Sequence, residues 1–266
     1  MNESLYAHIK TLPPLPESIA KIQAICSDPN SSIADLARIV ETDPMLTANL
    51  LKAANSPLYG FSREIKTLAQ AVSLFGMATV RGFALAGAVR STLQFDLTPY
   101  GIDLETFAKL SQEQNALIVR WYSQVSRAML EVLSPAAFLT GIGRVIMSQE
   151  IIRSGRQQEF IKLTGEQGLV EAEKQFFGVS YQEVSAAVFR HWRFEQELVD
   201  AIDYSRDPLS APASFKAYAC ALSVVQSAVS IPDGITDESA KIAGRQAISY
   251  GLSGDLFDKA IVAFLK

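Results

Sequence analysis

The sequence predicts an all-α protein. Helical apolar spacing recurs along most of the chain, capping signals punctuate it, and no stretch alternates apolar and polar residues between turn signals as a half-buried strand requires. With 266 residues, 48% of them hydrophobic, it can bury a large core in one big domain or two closely packed subdomains.

The elements follow in order. Leu12-Pro13-Pro14-Leu15-Pro16 favours extended backbone and cannot be helix interior, because proline fixes φ and lacks an amide donor. A helix over 17–26 places Ile19, Ile22 and Cys26 on one face and ends at Asp28-Pro29-Asn30. Ser32 and Asp35 form an acidic variant of the capping box, and Ile33, Leu36, Ala37 and Val40 then recur at helical spacing. Asp43 before Pro44 gives an N-cap with proline at the first helical position, starting a helix that buries Leu46, Leu50, Leu51 and Ala54 and stops at Ser56-Pro57. Thr67 and Gln70 make a second box before Ala71, Val72, Leu74 and Phe75, with Gly76 as a left-handed stop. A further helix over 78–93 contains Gly82 and Gly87, which lower intrinsic helicity but permit close packing.

Pro99 and Gly101 mark 96–103 as a hinge or packed connection between an N-terminal helical subdomain, 1–95, and a second helical subdomain, 96–266. Helices are predicted beyond it over 104–132, 136–154, 157–165, 168–177, 181–191, 196–205, 215–229, 238–250 and 255–264. Phe215, Tyr218, Leu222, Val225 and Val229 make the long helix of this half amphipathic.

The formal net charge of -4 offers no overall attraction to phosphates, and Arg144, Arg153, Arg156 and Lys162 are interleaved with Glu150 and Glu159. Nucleic-acid and membrane contacts are therefore not expected. The N-terminus lacks a signal-peptide pattern, and 215–231, read as the longest helical apolar stretch, is broken by Lys216 and Gln226 and falls short of the ~20 residues a span needs. A cytoplasmic location is the expectation. Cys26 and Cys220 are too few for a disulfide framework or a four-cysteine zinc site, and are expected to act as small buried hydrophobes. The pair of helices around 33–54 does not read as a helix-turn-helix, since 45–54 supplies only Asn49 and Lys52 to face DNA. Gly141-Ile142-Gly143 is not a dinucleotide loop either, because Ile146 stands at the third glycine position and no strand precedes it.

Several segments succeed one another in a characteristic order. They are Leu12-Pro13-Pro14-Leu15-Pro16, Asp43-Pro44, Leu50 through Ser56, Tyr59, Ala71 through Gly76, Trp121, Ala137-Phe138-Leu139, Ile142-Gly143-Arg144, and Phe177-Gly178 through Trp192 to Tyr204-Ser205-Arg206-Asp207-Pro208. Over about 12–208 the chain thereby resembles the bacterial HDOD family, the HD-related output domains. The resemblance implies an N-terminal helical bundle packed on an HD-phosphohydrolase-like helical subdomain, and a non-catalytic signalling or regulatory role.

The parent HD phosphohydrolases hold metal ions with histidines and aspartates, and here the sequence departs at each position. Tyr122 and Ser123 stand where the first histidine is expected near Trp121. Thr140-Gly141, or else a deletion of about one helical turn, takes the place of the adjacent His-Asp. Tyr181 replaces the histidine opening the next helix, and Ser205-Arg206 the later His-His. The two histidines present, His8 and His191, fall on no ligand position. Hydroxyls and a guanidinium do not substitute for imidazole and carboxylate at a divalent cation. No catalytic residue, metal or cofactor is therefore expected, and a pseudo-enzyme is.

Ser123, Thr140, Gly141, Tyr181, Ser205 and Arg206 are the candidate degenerate pocket. Two alternatives stand: a cavity turned to binding an anion or nucleotide with Arg206 as the clamp, or a space filled by Tyr181. Asn55, Ser56 and Tyr59 form a candidate interaction corner, against which stand ordinary helix-capping, turn and packing roles. The favoured expectation is an adaptor that contacts protein partners of a bacterial signalling pathway. The alternative is a sensor binding a nucleotide second messenger in the degenerate pocket.

Overall fold

Side-chain caps set the helix starts in the N-terminal half, except the one that follows Pro16. A computed structural model of the chain describes residues 1–28, 30–61 and 64–265; Pro29, the centre of the Asp28-Pro29-Asn30 stop, lies outside them. Helix α1 spans Glu3–Lys10, α2 Glu17–Ser27, α3 Ile33–Glu41, α4 Pro44–Ala54 and α5 Leu68–Thr92. Both predicted capping boxes form: Asp35 N donates to Ser32 Oγ (3.2 Å) and Gln70 N to Thr67 Oγ1 (3.2 Å), with each partner side chain reaching back. Asp43 caps α4 by accepting from Leu46 N at 2.9 Å.

The second half contains α6 (Leu104–Val125), α7 (Leu130–Leu139), α8 (Ile142–Arg153), α9 (Gln157–Gln167) and α10 (Leu169–Phe177). It continues with α11 (Tyr181–His191), α12 (Gln196–Tyr204), α13 (Ala213–Ala228), α14 (Asp237–Ser249) and α15 (Gly254–Ile261). Helices α2, α3 and α4 pack on α5, which lies along α7; α7 in turn meets α6, α12 and α13, while α8 packs on α11. Gly82 makes the α5–α7 approach possible, since a β-carbon there would sit 2.8 Å from Phe138 Cδ2 and 3.1 Å from Pro135 Cα. Gly87 has no such role; its nearest neighbour would be Leu46 Cδ1 at 3.8 Å. A contiguous hydrophobic core runs from Leu5 to Ile261.

Several expectations need correction. Leu51 is half-buried and Ile33 exposed, although Leu36, Val40, Leu46 and Leu50 are buried as predicted. Gly76, with a non-helical backbone at φ 75°, breaks α5 into two helical runs at the position read as a stop. The helix predicted over 104–132 stops at Val125, and α7 starts at Leu130 and runs through Pro135. A two-residue antiparallel pair, Val229↔Ile235 and Ser230↔Gly234, follows α13 where no strand was expected. Nor is 215–231 the longest apolar run: Leu68–Thr92 and Leu130–Arg153 are long and apolar enough to cross a membrane, yet 67% and 78% of their apolar windows are buried against the rest of the fold.

Helix α1 was not foreseen. Asn2 caps it by accepting from Leu5 N at 2.9 Å, and Leu5 and Ile9 dock it on α8 and α11. Ser4 Oγ donates to Glu150 Oε1 at 2.6 Å, and His8 Nδ1 lies 3.8 Å from Glu150 Oε2. Burial lowers the His8 pKa below its ordinary 6.5; Glu150 and the Gln149 side chain work against that shift, and Arg153 adds to it. The unfolded chain therefore binds the His8 proton more readily, so this contribution to stability is present above about 6.5 and lost as pH falls through the folded value. A lower protection factor for the α1 amides under mild acid, measured by hydrogen exchange against the intrinsic rate at each pH and abolished in His8→Gln, is the expected result.

Candidate functional site

Three of the six predicted pocket residues converge around a residue the sequence did not flag. Thr140 follows α7, Tyr181 opens α11 and Ser205 follows α12; between them lies the carboxamide of Gln226, from α13. Gln226 Nε2 donates to Thr140 Oγ1 and to Ser205 Oγ, both at 2.9 Å. Its Oε1 accepts from Tyr181 OH at 3.2 Å and from Gln182 Nε2 at 3.1 Å. A primary amide has two N–H donors and two acceptor lone pairs, so all four valences are used. The orientation is set by its neighbours, because Ser205 Oγ already donates to Ile202 O (2.7 Å) and can only accept from Gln226. Gln226→Leu is expected to strand the Tyr181 and Thr140 hydroxyls and cost about 1–3 kcal/mol, read as a lower denaturation midpoint.

Tyr181 is also held from the other side. Its ring lies 3.5 Å beneath the guanidinium carbon of Arg144, whose Nε donates to Glu173 Oε1 at 2.7 Å. Arg144 and Glu173 side chains are only 11% and 1% exposed, so this is an ion pair inside the protein. Ser185, on α11, ties the same region to the α7–α8 turn: it donates to Thr140 O and accepts from Gly143 N, each at 2.7 Å.

The other predicted pocket residues lie elsewhere. Gly141 precedes α8, and a β-carbon on it would meet the Phe107 ring at 3.0 Å. Ser123 is exposed and donates to Arg120 O at 3.1 Å. Arg206 donates to Glu183 Oε2 at 2.7 Å outside the cluster, with both side chains more than a third exposed. The Glu183 carboxyl sits below its ordinary range: burial pushes it up, but bonds from the Ser180 backbone and hydroxyl and from Arg206 outweigh that. Arg206 is thus committed to the α11 cap, not aimed at a ligand.

The corner Asn55, Ser56 and Tyr59 spends its polar groups internally. Asn55 Nδ2 donates to Leu51 O and Ile65 O at 2.9 Å, and its Oδ1 accepts from Ile65 N at 2.8 Å. Ser56 Oγ accepts from Leu58 N at 3.3 Å in the turn that follows α4. Tyr59 is buried, and its hydroxyl donates to Asn115 Oδ1 at 2.9 Å. Asn115 donates to Ser134 O (2.9 Å) and Oγ (2.8 Å), and Ser134 Oγ donates to Thr79 Oγ1 at 3.2 Å, so one buried polar chain joins α5, α6 and α7. Asn115→Ala is expected to lower stability by about 1–3 kcal/mol, measurable by chemical denaturation.

The donor set around Gln226 does not fit a divalent cation. It offers three hydroxyls and a carboxamide whose N–H groups face Thr140 and Ser205, with no carboxylate or imidazole among them. Among the described residues, no group of three or more His, Cys, Asp or Glu is placed to hold a metal ion. Cys26 and Cys220 are free thiols, and burial pushes both above the ordinary cysteine range, Cys26 to about 11.

Residues 12–208 match the HDOD domain family. The chain belongs to that family. Among solved structures, this HDOD chain is similar to a virulence factor from Campylobacter jejuni, at 30% identity and a TM-score of 0.59, covering 99% of this chain and 94% of that one. An HDOD domain protein of unknown function from Geobacter sulfurreducens shares 20% identity with a TM-score of 0.71, covering 98% and 94%. A protein provisionally described as acting in signal transduction, from Marinobacter aquaeolei, shares 20% identity with a TM-score of 0.66, covering 95% of this chain and 57% of that one. An uncharacterized protein from Treponema pallidum (strain Nichols) is 20% identical over 245 residues, 88% of this chain; the chain spans about half of that curated relative's length, 45%. The HDOD fold, an N-terminal helical bundle packed on an HD-like helical subdomain, is the architecture the helices build.

Sequence reasoning missed Gln226, which it read only as an interruption of an apolar stretch. A signal was available. Gln226 lies four residues beyond Leu222 and one beyond Val225, hence at the edge of the buried face of α13, where a polar side chain requires a partner.

Proposed function

We propose that this HDOD chain is a non-catalytic, cytoplasmic signalling module that acts through protein contacts. The observation that carries the proposal is the closed hydrogen-bond set of Gln226, Thr140, Tyr181 and Ser205. It lies where the family resemblance directs a search for metal ligands, and it leaves no unpaired amide valence for a substrate or metal-bound water. Family membership and the described role of the Marinobacter protein support the signalling part of the proposal.

The alternative, a nucleotide sensor, requires Arg206 to leave Glu183 and the Gln226 cluster to open. Thermal unfolding across a panel of cyclic mono- and dinucleotides tests it. No rise in melting temperature is expected at concentrations where a ligand at ~100 times its Kd would add about 2.7 kcal/mol. A rise that disappears in Arg206→Ala would replace the adaptor by the sensor. Affinity purification from the host with mass spectrometry should in turn return specific protein partners.

A further inference from the structure

The prolines at the start of the chain and the end of α11, 179 positions apart, meet to form a cleft. Trp192 Nε1 donates to Pro13 O at 2.9 Å, and His191 Nε2 lies 3.3 Å from Leu12 O. The resulting cleft, of about 470 Å³, has walls that include Leu12, Pro14, Leu15, Ile19 and Trp192, with Arg193 beside them. Its shape is preset, because the prolines fix their own φ angles and the indole pins the segment.

Arg193 is the anomaly of this cleft. Among the described residues it is the one non-glycine with a positive φ, 57°; the other positive-φ positions are all glycine. A β-carbon is disfavoured in that left-handed conformation, which glycine adopts freely. Buried Phe194 enforces the turn, its backbone N–H donating a hydrogen bond to Phe189 O at 2.9 Å. The fold alone would be served better by glycine, so the arginine side chain is present at a conformational cost. That side chain is exposed and makes no ion pair or side-chain hydrogen bond among the described residues. The acid that shares the cleft, Glu17, is paired with Lys21 at 3.0 Å.

We propose that this cleft docks a segment of a partner protein carrying a carboxylate beside apolar side chains, the carboxylate pairing with Arg193 and the apolar groups packing on Trp192, Leu15 and Pro14. Charge complementarity selects this occupant, since a guanidinium with no partner among the described residues, at the edge of an apolar cleft, favours an acidic neighbour and disfavours a basic one. The inference rests on the reading of the chain as a protein-contact module and supplies the chemistry of the contact.

The test uses the full chain and two synthetic probes, acetyl-Leu-Asp-Leu-Leu-amide and acetyl-Leu-Lys-Leu-Leu-amide. The chain has two tryptophans, and Trp121 is fully buried, so the NMR indole N–H of Trp192 reports on the cleft. The expected result is a saturable shift with the acidic probe that weakens as salt rises, and affinity at least about tenfold lower for the basic probe and in Arg193→Gly. Arg193→Gly should melt at the same or a higher temperature, which separates loss of docking from loss of fold. No response to the acidic probe, an equal response to the basic one, or full binding by Arg193→Gly would overturn the proposal. Metal-dependent turnover would instead strike at the non-catalytic reading and leave peptide binding intact, so the two failures are distinguishable.

Discussion

Gly143→Ala is expected to destabilise the protein severely. A β-carbon on Gly143 would lie 2.0 Å from the backbone oxygen of Tyr181, 2.8 Å from Ser185 Oγ and 2.9 Å from Ser185 N. Two of these atoms belong to the α11 backbone, so no side-chain rotation relieves the clash. Helices α8 and α11 would have to separate, breaking the 2.7 Å bonds that join Gly143 N, Ser185 Oγ and Thr140 O. Overpacking costs about 1–3 kcal/mol where neighbours can shift, and the backbone contact places this variant at or beyond that upper end. A fall in melting temperature on the order of 10 °C should follow. Gly165→Ala is the control. Gly165 is an exposed residue of α9 with nothing within 4 Å of its would-be β-carbon, and alanine there should stabilise by about 0.5–1 kcal/mol.

Arg144→Ala should cost about 3–5 kcal/mol, because it strands the carboxylate of Glu173 inside the protein and removes the cation over the Tyr181 ring. Burial already pushes the Glu173 carboxyl above its ordinary 4.5, and Arg144 pulls it back. Without the guanidinium, the folded state favours the protonated acid still more. Its stability is then fully present below the unfolded value and lost as pH rises through the raised folded value. The deficit of Arg144→Ala, measured by denaturant titration, should therefore be large at neutral pH and shrink as pH is lowered toward 4.5. The double variant Arg144→Met, Glu173→Leu should recover most of the loss, since two apolar side chains replace a desolvated pair.

These sites also show what the sequence could convey. Ser32, Asp43 and Thr67 announced their helices because a cap acts within a few residues, and those starts are where the sequence placed them. Helix α1 was invisible because it buries only Leu5 and Ile9, and the surface it docks on belongs to α8 and α11. The helix predicted from 136 begins earlier, at Leu130, and Pro135 lies within α7 where it meets Gly82 of α5. Thr140, Tyr181 and Ser205 could be connected through the family resemblance, which carries long-range information that spacing lacks. Gln226 could not, since its role lies in meeting three other segments at once. Arg193 gave no sign at all, as a positive φ at an arginine is decided by the tertiary turn and not by composition.

On the proposed function, the satisfied carboxamide of Gln226 closes the space where an HD enzyme would hold its metals. Manganese titration followed by electron paramagnetic resonance, run alongside turnover of bis(p-nitrophenyl) phosphate, tests it most directly. Wild-type protein is predicted to leave the manganese signal that of the free aqueous ion and to give no turnover above buffer. Stoichiometric manganese binding with phosphodiester cleavage, both lost in Tyr181→Phe or Ser205→Ala, would contradict it.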